Sequence, residues 1–135
     1  MKKTILRECI RCACARNERI QHLDFRHFSF VVVGNKIISC GNNVTFLTPK
    51  TGMLYPKYRG YTEVGTGIHS EVFAYKKARG LLNGADFEIV NVRVTNRGDV
   101  KLSKPCPCCV QFLKQLGCTR VWFSTEAGMA SLRLR

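Results

Sequence analysis

Apolar positions at the start of the chain recur with the period of a helix. Between Thr4 and Ile20 the spacing predicts one amphipathic helix, for which Thr4 is available as the N-cap. We expect one face of this helix to pack on a sheet. The positions that form the predicted buried stripe are Ile5, Cys9, Cys12 or Ala13, and Arg16.

A β-hairpin is predicted next. Phe28 to Val33 is a run of aromatic and β-branched residues that only Ser29 interrupts, and Lys36 to Cys40 reads as its partner strand. The two residues between them, Gly34-Asn35, are a turn signal of the type that connects antiparallel strands directly.

The rest of the chain alternates helices and strands, in the order αββαβαβ with a short final strand. This order predicts an α/β sandwich in which helices cover a mixed sheet. The predicted elements are a helix from Val72 to Leu82 that ends near Asn83-Gly84, a strand from Phe87 to Thr95, a helix from about Cys106 to Leu116 closed by Gly117, a strand from Val121 to Phe123, and a strand from Ser131 to Leu134 that turns back along it.

The composition favours one domain, residues 1–135, and a polyanionic partner. The chain carries 22 Lys and Arg against 9 Asp and Glu, a formal charge of +13. No acidic residue lies between Asp24 and Glu63. Such an excess raises the local concentration of polyanions, although basic residues also keep a small protein in solution.

No apolar stretch is long enough for a membrane span, so no membrane partner is expected. Met1-Lys2-Lys3 resembles the start of a secretory signal, but Arg7 and Glu8 interrupt the apolar run that follows. The sequence therefore predicts a cytoplasmic protein. In that reducing environment the 8 cysteines are expected to be metal ligands, core residues or reactive thiols.

Two short motifs carry the chemistry. His69-Ser70-Glu71 opens the second predicted helix, and Pro105-Cys106-Pro107-Cys108-Cys109 opens the third. A catalytic zinc needs three protein ligands and one open position, and one imidazole with two thiolates satisfies that count. We therefore predict a Zn²⁺ site whose ligands are His69, Cys106 and Cys109. The helix N-termini that meet there are expected to lower the pKa of the thiols.

Glu71 is predicted to be the catalytic acid and base beside that metal. A carboxylate two residues after the histidine need not ligate zinc, and is free to take a proton from an activated water and return it to the substrate. Two other interpretations of the cysteines stay open. Cys106 and Cys109 are also consistent with a redox pair, or with part of a four-ligand structural zinc site completed by Cys9, Cys12 or Cys14.

Together these motifs resemble those of the cytidine deaminase-like superfamily, and of its polynucleotide cytosine deaminase branch in particular. The phrases that carry the resemblance, in the order in which the family has them, are Gly41-Asn42-Asn43, His69-Ser70-Glu71, Leu102 to Cys109 and Val121-Trp122-Phe123-Ser124-Thr125. The resemblance implies a three-layer α/β/α sandwich with a mixed sheet of about five strands. It also implies a final strand that is short and antiparallel, because the twelve residues after Val121-Trp122-Phe123 leave no room for another helix.

The resemblance implies roles for four further residues. Asn43 is similar to the asparagine that holds the substrate sugar, and the backbone N–H of Ser70 is similar to the group that binds the base carbonyl. The backbone carbonyl of Lys104 corresponds to the acceptor for the departing amine, and Phe123 resembles an aromatic residue beside the base. The implied reaction is hydrolytic deamination, with cytosine preferred over adenine as the base.

The size of the substrate is argued from the irregular segment before His69. Its tyrosines alternate with basic residues, as in proteins that stack bases of a single strand on rings while cations follow the phosphates. We therefore predict deamination in single-stranded DNA or RNA. A free cytidine or deoxycytidine nucleoside or nucleotide is the alternative substrate, and the tyrosines would then pack the loop or an oligomer interface. The residues predicted to contact nucleic acid are Tyr55, Lys57, Tyr58, Arg59, Tyr61 and Lys101.

A third interpretation is a nucleic-acid-binding module with a structural zinc and no turnover. It requires a fourth protein ligand at the metal, since a closed tetrahedral site has no place for water. The oligomeric state is left open by the sequence.

Overall fold

The structure is a computed structural model that describes residues 1–19, 26–43 and 70–135. These parts of the chain contain three helices and six strands. The helices are α1 (Lys3–Asn17), α2 (Ser70–Leu82) and α3 (Pro107–Gln115). The strands are β1 (Arg26–Val33), β2 (Lys36–Asn42), β3 (Phe87–Val94), β4 (Val100–Lys101), β5 (Cys118–Thr125) and β6 (Gly128–Arg133).

The strands form one mixed sheet in the order β2-β1-β3-β5-β6, and β4 pairs with the end of β3. Only β3 and β5 run parallel among these pairs, and α3 lies in the connection between them. The last strand pairs antiparallel with β5, with Trp122 opposite Ser131. This confirms the predicted α/β class and the short antiparallel final strand, whereas the two-residue β4 was not predicted.

The β1–β2 hairpin forms at the predicted turn. Gly34 and Asn35 both have positive φ, at 53° and 62°. Two consecutive left-handed residues give a turn whose twist matches that of the flanking strands. Glycine adopts this conformation without strain, and asparagine tolerates it better than most residues. The strands on either side extend beyond their predicted bounds.

The first helix differs from its prediction at both ends and in the face it buries. Its N-cap is Lys2, which makes no side-chain cap hydrogen bond, so Thr4 lies inside the helix rather than capping it. The helix ends at Asn17, three residues before the predicted end. Its buried face is Leu6, Cys9, Ala13 and Asn17. Cys9 and Ala13 are buried as predicted, whereas Ile5 is only partly buried and Arg16 is exposed.

A specific tertiary contact explains this rotation of α1. The side-chain amide of Asn17 donates to the Thr95 carbonyl at 3.0 Å and accepts from Arg26 at 3.2 Å. Asn17 is therefore buried with partners, and the Arg16 cation is left in solvent. The sequence spacing alone did not distinguish two adjacent faces of the helix.

Two hydrophobic clusters lie on opposite faces of the sheet, which confirms the three-layer arrangement. One cluster joins α1 to alternate residues of β1 and β3, such as Phe30 and Val92. The other joins α2 and α3 to the intervening residues of the same strands, such as Val31 and Ile89. This alternation follows from the two-residue period of a strand. None of the helices in the described ranges has the length and apolar character needed to span a membrane.

Candidate active site

Helix α2 is held on strand β2 by two side-chain contacts to backbone carbonyls. Ser39 Oγ on β2 donates to the Ala74 carbonyl at 2.8 Å, and Lys77 Nζ on α2 donates to the Cys40 carbonyl at 3.0 Å. The two bonds run in opposite directions between the elements. They set the position of the helix whose first turn contains Glu71.

Glu71 is buried at the start of α2, within a group of polar side chains that are also buried. Its Oε1 atom lies 3.2 Å from Ser70 Oγ and 3.2 Å from Asn91 Nδ2. Ser29 Oγ on β1 lies 2.7 Å from Ser70 Oγ and donates to Asn91 Oδ1 at 2.6 Å. Glu71 is 5% exposed, and the other three side chains are at most 2% exposed. The carboxylate is thus held by neutral donors beneath the helix.

Helix α3 presents the two cysteines of the second motif from its first turn. Cys106 is the N-cap and its sulfur accepts from the backbone N–H of Cys109 at 3.4 Å. Pro107 occupies the first turn, where its missing N–H costs no hydrogen bond. The sulfur of Cys106 therefore lies over the helix N-terminus, beside the residue that carries the other sulfur. This agrees with the predicted geometry of a helix that begins at this motif.

Cys109 contacts both Cys106 and Glu71. The Cys109 thiol is buried and makes side-chain hydrogen bonds with both of the others. The contact with Cys106, burial and the charge of Glu71 raise the pKa of Cys109 well above its usual range. The predicted lowering of the thiol pKa concerns thiolates that hold a metal, and it stays a prediction.

The chemistry of this cluster fits a zinc ion. Two sulfurs at one helix start are soft ligands of the kind that zinc prefers, and a cation would relieve the crowding of groups that become anionic. The third predicted ligand, His69, lies outside the described residues. Within the described ranges, no group of three or more His, Cys, Asp or Glu side chains is arranged to hold a metal.

The N-terminal cysteines lie on the other side of the sheet. Cys9, Cys12 and Cys14 pack in the α1 cluster, whereas Cys106 and Cys109 belong to the cluster of α2 and α3. The interpretation in which an N-terminal cysteine closes a four-ligand zinc site is therefore wrong, because the sheet separates the two groups. All eight cysteines lie in described parts of the chain, and none of them forms a disulfide.

The segment between β4 and α3 is fixed to the sheet through Ser103. Its hydroxyl lies 2.8 Å from Ser124 Oγ and donates to the Asn91 carbonyl at 2.9 Å. The backbone of Ser103 also donates to the Ser124 carbonyl at 2.9 Å. These bonds set the backbone of the next residues, Lys104 and Pro105, before the chain reaches Cys106.

Asn43 follows β2 and is bound to the start of β1. Its side-chain Oδ1 accepts from the His27 N–H at 2.9 Å, and its own N–H donates to the His27 carbonyl at 3.1 Å. His27 lies two residues before Ser29, whose hydroxyl contacts Ser70. Asn43 is therefore held on the side of the fold where α2 begins, with its amide oxygen already in use.

Three other predicted site residues lie in described parts of the chain. Phe123 is buried on β5, in register with Asn91, so both side chains emerge from the same face of the sheet. Lys104 is exposed. Lys101 forms an ion pair with Glu126, Nζ to Oε1 at 2.9 Å, so its charge is partly compensated.

The loop residues predicted to contact nucleic acid lie outside the described residues. They are Tyr55, Lys57, Tyr58, Arg59 and Tyr61. Their role stays a prediction.

Sequence reasoning missed Ser29 and Asn91, which contact Ser70 and Glu71. Each is a single polar residue inside a strand that is otherwise apolar on both faces, Phe28 to Val33 and Ile89 to Val92. A polar residue at a position predicted to be buried needs a hydrogen-bonding partner. A single polar residue in each apolar run was therefore the sequence signal for the buried polar contacts around Glu71.

Comparison of the fold with solved structures gives consistent neighbours. Cytidine deaminase from Burkholderia pseudomallei aligns over 99% of this chain and 94% of its own, with a TM-score of 0.62 and 19% identity. Cytidine deaminase from Mycobacterium leprae covers 93% and 91%, with a TM-score of 0.57 and 16% identity. The dCMP deaminase of cyanophage S-TIM5 covers 90% and 82%, with a TM-score of 0.55 and 20% identity.

These likenesses show the fold. The chain has the fold of these cytidine deaminases, which is the fold that the motif resemblance implied. No protein-family model matches the sequence, and no curated protein matches it.

Proposed function

We propose that this protein is a zinc-dependent hydrolytic deaminase that converts cytosine to uracil. The observation that carries the proposal is the contact of the buried Glu71 with Cys109 and, through it, Cys106. This contact supports a proton-accepting role for Glu71 beside two predicted metal ligands, on a fold shared with cytidine deaminases. An acid–base carboxylate must lie within hydrogen-bonding reach of the water it activates, and that water would be held at such a metal.

His69, Cys106 and Cys109 would hold the zinc. When bound, the metal would act as a Lewis acid that makes a water acidic enough to attack the base at neutral pH. A reducing, cytoplasmic environment is part of the proposal, since oxidation would remove both thiolates from the donor set.

The residues of the chain would move the protons. Glu71 Oε1 already accepts from Ser70 or Asn91, so Oε2 is the better placed atom to take the proton of the attacking water. Glu71 then returns that proton to a ring nitrogen of the base as the new bond from oxygen to the amino-bearing carbon forms. It next moves the remaining hydroxyl proton to the amino nitrogen, so the bond from carbon to that nitrogen breaks as the carbon–oxygen double bond forms. Ammonia leaves, with the Lys104 carbonyl as its hydrogen-bond acceptor. Phe123, in register with Asn91, would pack beside the base.

Single-stranded DNA or RNA is the proposed substrate, and the charge of +13 supports it. Ser70 would bind the base carbonyl and Asn43 the sugar, as the motif resemblance implies. Lys104, which is exposed, and Lys101 would lie near the phosphates beside the cysteine motif. The tyrosine and basic residues of the segment before His69 would bind further along the strand.

A free nucleoside or nucleotide is the second candidate, and the structural neighbours favour it. Their names describe cytidine deaminases and a dCMP deaminase. The two cytidine deaminases align over more than nine-tenths of this chain and of their own. One phosphate would need far less positive charge than this chain carries.

One assay separates these candidates. Purified zinc-loaded protein is incubated with single-stranded DNA and RNA oligonucleotides that each contain one cytosine, and separately with cytidine, deoxycytidine, dCMP and dCTP. Uracil is detected by mass spectrometry and ammonia by a coupled assay. We expect turnover of an oligonucleotide; turnover of the monomers alone would replace the polynucleotide proposal with the second candidate.

The Glu71→Gln variant is the matched control, because it keeps the size of the side chain and removes its basicity. We expect about 10²- to 10⁴-fold lower turnover with unchanged zinc content. Binding of oligonucleotide without release of ammonia from any substrate, by wild type and variant alike, would instead favour a non-catalytic binding module.

A further inference from the structure

We infer that Asn91 and Ser29 are positioning residues that orient the Glu71 carboxylate, with Asn91 as its permanent hydrogen-bond donor. The inference rests on the proposed function, since it concerns how the proposed acid–base group is held. Neither residue is part of the H-x-E or P-C-x-x-C motif, and both come from strands of the sheet beneath α2.

Four side chains form a closed ring of contacts. The ring runs from Ser29 to Ser70 at 2.7 Å, from Ser70 to Glu71 at 3.2 Å, from Glu71 to Asn91 at 3.2 Å, and from Asn91 back to Ser29 at 2.6 Å. Two members come from the first turn of α2, and one each from β1 and β3. The ring therefore ties the start of the helix to two neighbouring strands.

The number of hydroxyl and amide hydrogens in the ring determines which atom donates in each hydrogen bond. Ser29 has one hydroxyl hydrogen and gives it to Asn91 Oδ1, so the hydrogen in the Ser29–Ser70 contact must come from Ser70. Ser70 also has only one hydrogen, and it serves either Ser29 or Glu71. Asn91 Nδ2 is the donor that Glu71 retains in both arrangements.

Ser29 in turn determines the orientation of the Asn91 amide. An amide that presented its oxygen to the carboxylate would leave Glu71 without that donor. The hydroxyl of Ser29, at 2.6 Å from Oδ1, stabilises the orientation in which nitrogen faces Glu71. Ser29 thus acts on Glu71 through Asn91 and through Ser70.

The cost of burying this group indicates that it serves more than packing. The ring members are at most 5% exposed, and their neighbours along β1 and β3, such as Phe30 and Val92, are apolar. Apolar side chains at Ser29 and Asn91 would remove the need to bury polar atoms in the sheet. In the described ranges no ion pair includes Glu71, so neutral dipoles hold the carboxylate there.

The first test compares Asn91→Leu and Ser29→Ala with wild type on whichever substrate the enzyme turns over. We expect kcat to fall about 10- to 100-fold for Asn91→Leu and less for Ser29→Ala, because a misplaced reacting group costs rate rather than affinity. KM should change by less than about threefold and zinc content should be unchanged. An unchanged kcat in Asn91→Leu would overturn the inference.

A matched control comes from the opposite face of the sheet. Asn17 is another buried asparagine, whose amide donates to the Thr95 carbonyl just after β3, and none of its hydrogen bonds goes to a ring member. Asn17→Leu should lower stability and leave kcat unchanged. If it lowers kcat as much as Asn91→Leu does, general destabilisation explains both and the inference fails.

A double-mutant cycle identifies Glu71 as the residue through which Asn91 acts. In the Glu71→Gln background, Asn91→Leu should change the residual rate by less than about twofold, since the group that it orients is gone. A full additional loss of rate in that background would overturn the inference.

A second cycle, measured on unfolding free energy, does not depend on activity. It pairs Asn91→Leu with Glu71→Ala, which removes the oxygen that Glu71→Gln would keep. The two changes should be non-additive, and additive values would overturn the inference. If wild type turns over no base, the proposed function fails while this cycle still decides whether Asn91 holds Glu71. If wild type is active and Asn91→Leu is equally active, only the inference fails.

Discussion

The backbone of Gly41 on β2 lies directly against the backbone of Ala74 on α2. A Cβ atom at position 41 would be 2.5 Å from the Ala74 nitrogen and 2.9 Å from the Phe73 carbonyl carbon. Both are backbone atoms, so neither moves aside without moving the helix. Glycine at this position therefore allows the close approach that brings the first turn of α2, with Glu71, onto the sheet.

We expect Gly41→Ala to push α2 away from β2 and to lower the unfolding free energy by about 1–3 kcal/mol, as overpacking does in other cores. Turnover should fall as well, because the displacement carries Glu71 with it. Urea unfolding and the deaminase assay measure the two effects. Gly80→Ala is the control on the same helix: nothing lies within 4 Å of its Cβ position, so it should be neutral or stabilise by up to about 1 kcal/mol. Equal effects of the two changes would contradict the close-approach argument.

Zinc content should depend on two of the three cysteines in the P-C-x-x-C motif. We expect Cys106→Ser and Cys109→Ser to lose most of the bound zinc, since each removes a thiolate ligand. Cys108→Ser should retain it, because Cys108 is half-buried against the core of α2 and α3 and is not a predicted ligand. Metal analysis of the purified proteins measures this, and zinc loss in Cys108→Ser with retention in Cys109→Ser would reverse the assignment.

Stability should decline at alkaline pH because buried thiols must stay protonated. Burial raises the pKa of Cys9 and that of Cys118 to about 12, against 9.0 for an ordinary cysteine thiol. A folded-state pKa above the unfolded value gives stability that is complete below about pH 9 and is lost as pH rises toward 12. Each thiol should contribute a slope of up to about 1.4 kcal/mol per pH unit in that window.

Urea unfolding under reducing conditions at several pH values tests this. The unfolding free energy of Cys9→Ala should decline less steeply than that of wild type above about pH 9, the ordinary pKa of a cysteine thiol. Val92→Ala, in the same core cluster, should lower stability without changing the slope. A parallel decline in Cys9→Ala and wild type would show that this thiol does not contribute.

Affinity for single strands should respond to the ion pair between Lys101 and Glu126. Glu126→Gln leaves the Lys101 cation without its partner, so we expect tighter oligonucleotide binding at low salt. The slope of log K against log salt should steepen by about 0.7, the value for one added phosphate contact on a single strand.

Asp86→Asn makes the same charge change at a matched exposed pair. It releases Arg135, which lies 3.0 Å from Asp86 just beyond the C-terminal end of α2, away from Glu71. We expect little change in the salt slope for this variant. The same steepening in both variants would mean that net charge, rather than a surface beside the site, determines binding.

The local order of elements could be predicted from the sequence because it depends on neighbouring residues. The hairpin at Gly34-Asn35 follows from residues that tolerate positive φ, and the start of α3 at Pro107 follows from a proline that needs no N–H partner. The predicted chemistry of the site also comes from short motifs, since H-x-E and P-C-x-x-C each combine a donor type with a spacing. Tertiary information was therefore not needed to predict the fold class or the antiparallel final strand. It was also not needed to predict that Cys106 and Cys109 lie together at the start of one helix.

Contacts between distant segments were decided only by the tertiary structure. The buried face of α1 depends on Asn17 reaching Thr95, 78 residues along the chain, and the donor to Glu71 comes from Asn91, 20 residues away. Only the tertiary structure likewise shows that the N-terminal cysteines lie on the opposite face of the sheet from Cys106 and Cys109. A sequence pattern reports which side chains are polar or apolar, but the partner that a buried polar group satisfies is set by strand order and register, which bring together residues that no local spacing relates.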